Sequence, residues 1–306
     1  MDLRVFEDFL TLAECGSFSR AAERRNCVQS AFSRRIQNLE SWLGVLLIDR
    51  RVNPLQLTAA GQAFVAVAED VLRRVKHGRQ EIASLSSNTP VPVAFAVTHT
   101  LSVNFFPGWI SRIEQKIGEL PMRLLTVDGR KCREALSRGD CHFMLCHFSS
   151  AMAGDFHGSR MQGVSLSGDR LIPVCAPALA DQITEVPGRP DAPVPYLTYA
   201  DGSFMGRAVT LFLQTSGRPV YLQSRFETSL AESLKAMILE GRGVGWLPES
   251  IVRKELGSGE LARAGDHKWD IDVQVCIFRP STRLPARSEK LWDLIRRDRP
   301  TAVDFQ

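Results

Sequence analysis

The sequence predicts an α/β protein: an all-α winged helix-turn-helix over residues 1–58, a long helix over 59–87, then two α/β subdomains over 88–306. Three observations predict this. Apolar residues recur at helical spacing through three short segments that end at Gly44. A regular spacing of four and three residues follows from 59 to 87. After a turn-rich break, short apolar runs alternate with amphipathic ones.

A chain of 306 residues suits two or three compact units. With 44% hydrophobic and 24% charged residues, it has an ordinary globular composition. The net charge of +4 is too small to establish nucleic-acid binding, so the placement of arginines decides. No apolar run is long enough to span a bilayer, and Met1-Asp2-Leu3-Arg4 opens no signal-peptide core. The expectation is a cytoplasmic protein with no membrane partner. The 7 cysteines read as buried thiols rather than a disulfide framework. Cys141-His142-Phe143-Met144-Leu145-Cys146-His147 raises a metal site, but strand alternation puts Cys141 and His147 on one face, His142 and Cys146 on the other. Neither metal nor cofactor is expected.

Residues 3–13 carry Leu3, Phe6, Phe9, Leu10 and Ala13 on one helical face, ended by Gly16, with Ser17 placed to cap the next helix. That second helix, 18–25, buries Phe18, Ala21 and Ala22. A third, 28–43, turns Phe32, Ile36, Leu39 and Leu43 inward. Its outer side holds Ser30, Ser33, Arg34 and Gln37, with Gln29 at the exposed N-terminal end and Arg35 flanking. Amide and guanidinium groups reach base edges, and short hydroxyls approach phosphates. Arg20, Arg24 and Arg25 add positive charge where a duplex would pass. Alone, such a face is any solvated helix surface. What distinguishes it is the ribbon that follows: Leu46-Leu47-Ile48, a turn at Asn53-Pro54 and Leu55-Gln56-Leu57, with Arg50 and Arg51 near the tip for the backbone or minor groove.

The run Phe9-Leu10-Thr11-Leu12, Gly16-Ser17-Phe18, Ala21-Ala22, Gln29, Ala31-Phe32-Ser33-Arg34-Arg35-Ile36, Leu39-Glu40, Leu43-Gly44, Leu47, Arg50, Leu57-Thr58 and Gly61 resembles the signature of LysR-type transcriptional regulators. The resemblance implies base contacts from Gln29, backbone contacts from Ser33 and Arg34, and a wing role for Arg50. It also implies double-stranded operator DNA, a small-molecule effector and RNA polymerase as partners. Val28 and Ser30 depart from it, standing where the family usually has serine and proline. Losing the capping hydroxyl at Val28 costs about 1 kcal/mol of helix stability unless Ser30 or Asn26 compensates.

In the long helix, Phe64, Ala68, Val71, Val75, Gly78, Ile82 and Leu85 form a coiled-coil seam. A homodimer through it would set two recognition helices on successive half-sites; the family commonly forms homotetramers. Ser86-Ser87-Asn88-Thr89-Pro90 reads as a hinge. Beyond it come strand 91–98, helix 103–117, strand 122–127, helix 131–138 and strand 141–147. A second series has strand 170–176, helix 203–215, strand 220–226, helix 229–241 and strand 244–247, before a return through strand 271–278 and helix 288–297. Alternation argues for parallel sheets. Subdomain I takes residues 91–165 and 270–300, and subdomain II takes 166–269. Two sheets joined by crossing strands leave a cleft, similar to the type 2 periplasmic-binding-protein-like effector domain of LysR-type regulators.

Ligands in such folds sit beyond the carboxyl ends of strands. Positions there are Thr98-His99-Thr100-Leu101-Ser102, Asp128, Thr198-Tyr199, Ser203-Phe204-Met205 and Thr228-Ser229. Thr100, Ser102 and Thr228 are the preferred polar contacts, with Met205 and Trp246 as apolar walls. Asn53-Pro54-Leu55-Gln56-Leu57, Pro173-Val174-Cys175-Ala176, Phe204-Met205-Gly206-Arg207 and Gly245-Trp246-Leu247-Pro248-Glu249 resemble the hypochlorite-responsive branch of the family. Oxidant sensing would then fall to Met205, Cys146 or Cys175, while Ile113 and Leu230 stand where that branch carries regulatory methionines. A small organic effector is the preferred reading. His99 with Ser102 is the nearest approach to a catalytic pair, and no nucleophile-elbow, phosphate-loop or zinc-protease motif accompanies it, so no enzyme is expected. A solute-binding protein would share the C-terminal fold without the DNA-reading unit.

Overall fold

The computed structural model describes residues 2–51, 55–87, 91–156, 161–180, 188–200 and 202–298. Helices α1 (Arg4–Cys15), α2 (Phe18–Arg24) and α3 (Gln29–Leu43) close around Phe9, Leu12, Ala21, Phe32, Ile36 and Leu39, all fully buried. Gly16 and Gly44 end α1 and α3 at φ 59° and 71°, where a side chain would be strained. Ser17 stands at the start of α2, but its hydroxyl makes no capping bond, which corrects the expected role. The start of α3 at Val28 is uncapped too, and the Ser19 hydroxyl donates to the Gln29 amide oxygen at 2.9 Å. Strands β1 (Ile48–Asp49) and β2 (Gln56–Leu57) pair antiparallel as the wing. The turn expected at Asn53-Pro54 lies outside the described residues.

Helix α4 (Ala59–Ser87) has 29 residues, roughly 44 Å of rod. Gly61 lets it press on the wing: a Cβ there would stand 2.1 Å from the Leu47 carbonyl oxygen. The expected seam divides. Phe64 stacks on Phe6, with ring centroids 5.8 Å apart, Ala68 is fully buried, and Val71 packs on the same N-terminal core. Val75 and Ile82 are exposed. The four-and-three spacing thus serves two surfaces, because the first turns cover the three-helix unit; Leu85 lies outside the described side chains. The helix runs through Ser86 and Ser87, so the hinge does not begin there, and residues 88–90 are outside the described set.

The C-terminal part runs β3 (Val93–Val97), α5 (His99–Asn104), α6 (Phe106–Ile117), β4 (Met122–Thr126), α7 (Gly129–Ser137), β5 (Phe143–Phe148), β6 (Met161–Cys175), α8 (Pro177–Ala180), β7 (Val194–Tyr199), α9 (Phe204–Thr215), β8 (Leu222–Thr228), α10 (Ala231–Leu239), β9 (Gly245–Pro248), α11 (Glu249–Ser258), β10 (Ala262–Arg263), β11 (Ile271–Pro280) and α12 (Ala286–Asp298). The single helix expected over 103–117 is two. Pro107, in the first turn of α6, has no amide to extend α5, and Phe105 breaks the helix between them.

The sheets are not purely parallel, which corrects the expectation drawn from alternation. Strands β4, β3 and β5 are parallel neighbours, whereas β11, β6, β10 and β9 join antiparallel. A parallel pair, β7 and β8, stands apart, bridged to Val244 through Tyr196. The long partners β6 and β11 pair from Ile271–Leu171 to Pro280–Met161, with an irregularity at Val275 and Cys276. Their upper turns pack on Leu197, Leu234 and Trp246, and their lower turns on Phe95, Trp109 and Trp292. One sheet therefore supports two cores, and the cleft opens between them.

Cys141 precedes β5, so strand alternation does not reach it. It lies in one apolar cluster with Cys132, Cys146 and Cys276 rather than on the His147 face. The His142 ring sits in the core, its Nδ1 accepting from the Ala94 amide at 3.1 Å and lying 3.1 Å from the Ser288 hydroxyl. Helix α4 meets this part through the buried Arg73, which donates to Thr282 Oγ1 at 2.9 Å and to the Ser137 carbonyl. Gly139, at φ 70°, leaves the room: a Cβ there would lie 2.8 Å from Arg73 Cγ. Arg138 also pairs with Glu14 of α1 at 2.6 Å.

Candidate DNA-reading face and effector cleft

Two faces of this fold present unused polar groups. On α3, Gln29, Ser30, Arg34 and Gln37 are exposed and Ser33 is half-buried, opposite the apolar stripe of Phe32, Ile36 and Leu39. Arg34 makes no ion pair among the described residues. Arg35 is different. Its guanidinium turns inward to Asp8 at 3.1 Å, donates to Cys27 Sγ and lies over the Phe32 ring. Asp8 is fully buried and also holds Arg25 at 2.8 Å, so Arg35 braces α3 on α1 and leaves the reading edge. Arg20, Arg24 and Arg25 are likewise turned toward α1, to the Cys15 carbonyl, Glu14 and Glu7. The positive concentration expected around α2 is therefore largely neutralised at short range.

In the wing, Arg50 donates to Glu40 Oε2 at 2.8 Å and lies over the Phe18 ring, 5.4 Å from its centroid. Buried Glu40 accepts the Leu47 and Ile48 amides on its other oxygen. Arg50 is half-exposed and held in position, whereas Arg51 is almost fully exposed and pairs only with its neighbour Asp49. Hydrogen bonds from the Arg51 side chain hold the Asp49 carboxyl down at about 2.

The second face is a cavity of about 560 Å³ between the two cores. Of the residues expected there, Thr98, His99, Thr100, Met205 and Ser229 line it. Leu101 points into the lower core with Trp109, and the Ser102 hydroxyl closes on the His99 carbonyl. Thr198 donates to the Tyr199 carbonyl, Thr228 accepts the Leu230 amide, and Trp246, 1% exposed, donates its indole N–H to the Trp269 carbonyl. These five fall outside the lining because their polar atoms serve the backbone or their bulk serves the core. Asp128, Tyr199, Ser203 and Phe204 do line the cavity. Arg130, Lys131, His147 and Leu230 were missed. The signal for the first two was adjacency to Asp128 at the carboxyl end of β4; His147 is hidden in a strand that is otherwise apolar.

Glu232, in the first turn of α10, ties the two sides together. It accepts from Asn104 Nδ2 at 3.0 Å and lies 3.5 Å from Thr100 Oγ1 and 3.4 Å from His99 Nδ1. His147 stacks on Phe204, and its Nε2 is 3.8 Å from Asp169 Oδ2. Three buried polar atoms of the lining have no hydrogen-bond partner among the described residues: Thr98 Oγ1, His147 Nε2 and Tyr199 Oη. Each such orphan costs about 1–3 kcal/mol. Burial pushes the Tyr199 phenol well above its usual range, so it stays protonated. Burial also lifts the Cys175 thiol to about 11 and the Cys146 thiol well above its ordinary value. Both are then unreactive thiols at neutral pH. Met205 stands in the cavity wall, Leu230 lines it, and Ile113 is buried in the lower core.

Residues 3–62 match the family profile described as "Bacterial regulatory helix-turn-helix protein, lysR family". Residues 92–300 match "LysR substrate binding domain". The chain is 32% identical over 290 residues to the HTH-type transcriptional regulator YjiE of Escherichia coli (strain K12), covering 94% of this chain and 92% of that protein. Among solved structures it resembles full-length HypT from Salmonella typhimurium, described as a hypochlorite-specific LysR-type regulator, with 28% identity, TM-score 0.59 and 98% of both chains covered. It also resembles Vibrio fischeri DarR in complex with DNA, with 28% identity, TM-score 0.56, and 96% of this chain and 98% of that one covered. With a helix-turn-helix profile at one end, an effector-domain profile over most of the rest and a regulator of like length as relative, the chain belongs to the LysR family of DNA-binding transcriptional regulators.

Proposed function

We propose that residues 1–58 read the operator, 59–87 join two copies and 88–306 sense the effector. Gln29, Ser30, Ser33, Arg34 and Gln37 enter the major groove, while Arg50 and Arg51 hold the backbone or minor groove from the wing. Exposed Val67 and Val75 on α4 support a homodimer, itself the unit of a homotetramer. The effector occupies the cavity lined by Thr98, Thr100 and Met205, and the protein regulates RNA polymerase in the cytoplasm without catalysing a reaction. No helix among the described residues is long and apolar enough to cross a membrane.

The observation that carries this reading is the division of α3 into a buried apolar stripe and an exposed edge with Arg34 unpaired. Selection of binding sites from random duplexes by the full chain tests it. An inverted repeat should emerge, and Arg34→Ala should bind it about tenfold to a hundredfold more weakly. No enrichment, or an Arg34→Ala chain that binds as tightly, rejects the assignment. Met205 in the cavity wall supports a second reading, switching by thioether oxidation. Peptide mass spectrometry after hypochlorite treatment checks it: Met205 must oxidise in step with altered DNA binding.

A further inference from the structure

We propose that Ser19 decides which base Gln29 reads, confining it to a keto base, guanine or thymine, on the strand it faces. The inference rests on the reading of α3 as the recognition helix with Gln29 at its leading end. The Ser19 hydroxyl, on α2, donates to Gln29 Oε1 at 2.9 Å across ten residues of sequence. Both side chains are exposed, and among the described residues neither has another hydrogen-bond partner. The helices that carry them are locked together. Phe18 meets Phe32 edge-on with ring centroids 6.2 Å apart, and Ala21 and Ala22 are buried in the same core. The pair is therefore set before any duplex arrives.

An amide has one accepting end and one donating end. A free glutamine can use both on a single base, which is how it grips adenine, accepting from N6 and donating to N7. That grip needs oxygen and nitrogen side by side on the base edge. Here Oε1 is turned toward α2 by Ser19, and what remains for the groove is Nε2, a pure donor. Guanine offers it O6 and N7, and thymine offers O4. Adenine and cytosine set an amino group against it. A hydroxyl can take either end of an amide. The opposite orientation would point the oxygen at phosphates and base lone pairs, whose negative field favours the N–H end. In the free chain water competes for this exposed bond. At a docked interface the water leaves, and freeing Oε1 for adenine would strip the hydroxyl of its acceptor.

The test uses the full chain and duplexes selected from random sequence, with relative affinities measured at one fixed salt concentration. Gln29→Ala marks the base pair concerned, as the one whose preference that substitution erases. At that pair the native chain should favour the keto base over the amino base that replaces it in a transition by about tenfold. Ser19→Ala should cut this preference to about threefold or less, chiefly by admitting adenine. Preferences at the other pairs, and the slope of log affinity against log salt, should stay as they were. Ser19→Thr keeps the hydroxyl and should retain the native preference. Both positions are exposed, so the variants should melt with the native chain. An amino base favoured by the native chain, an unchanged preference in Ser19→Ala, or a Ser19→Thr chain as relaxed as Ser19→Ala overturns the proposal. Those results leave Gln29 as a reader and reject only its orientation by Ser19. A Gln29→Ala chain that erases no preference rejects Gln29 as a reader, and the inference with it.

Discussion

The α3 edge and the effector cleft both hold polar atoms in reserve, but in opposite states. Gln29, Ser30, Arg34 and Gln37 wait in water, where an unused donor costs nothing and binding must repay only desolvation and counterions. Tyr199, His147 and Thr98 wait in a buried wall, where each empty position is already paid for in stability. The first arrangement suits a large, charged partner met through many weak contacts. The second suits a small partner recognised by a few atoms, because a ligand that fails to satisfy them leaves the cost standing. Helix α7 lies between the two regions: Asp128, Gly129 and Lys131 at its start line the cleft, and Arg138 at its end pairs with Glu14 of α1.

The largest expected effect tests what stiffens the reading edge. Asp8→Ala leaves Arg25 and Arg35 without their shared buried carboxylate, and should destabilise the N-terminal unit by about 2–3 kcal/mol, reduced from a full burial value because both arginines are about one-third exposed. A thermal melt should show this unit unfolding earlier while cleft ligands bind as before. A melt identical to the native chain would mean that the edge needs no such brace.

An intermediate effect sharpens the cleft side. Burial works against the Asp169 charge, yet the His147 ring close by, a hydrogen bond from the Ser250 hydroxyl and one from the Arg170 amide hold its carboxyl below the ordinary 3.8. A carboxyl depressed by folding contributes stability that is complete above its unfolded value and is lost as pH falls through the folded one. Asp169→Asn should therefore flatten the acid limb of stability below about pH 4, leaving the neutral and basic limbs parallel to those of the native chain. Urea titrations across pH decide this, and an unchanged acid limb counts against the linkage.

The smallest effect lies at the exposed extreme. Arg51→Ala removes an open ion pair with Asp49 and should change stability by no more than about 0.5 kcal/mol. The slope of log affinity for DNA against log salt should still fall by about 1 if Arg51 meets a phosphate. An unaltered slope would confine the backbone role to Arg50.

Reading from sequence worked where periodicity alone sets the outcome. The spacing of Phe32, Ile36 and Leu39 placed α3 and its outer edge, and Gly16 and Gly44 marked where α1 and α3 stop. It failed where two segments compete for one side chain. Arg35 sits one residue from Arg34 in the chain, yet faces Asp8 because α1 crosses on that side. Thr198 and Thr228 lie at strand ends as expected, but their hydroxyls are taken by nearby backbone, and Tyr199, next to Thr198, supplies the unpartnered group. The seam of α4 read as uniform because Phe64 and Val75 look alike in sequence; only the presence of Phe6 and Phe9 beneath the first turns separates them.

The order of helices, the wing, the long rod and the alternating tail follow from the amino-acid sequence by itself, because hydrophobic period and turn chemistry act over a few residues. The pairing of β6 with β11 and the partner each arginine takes were decided in three dimensions. So was the meeting of three orphaned polar atoms in one cavity. Those outcomes depend on which distant segments share a desolvated space, where a polar group must find a partner or bear the cost of having none.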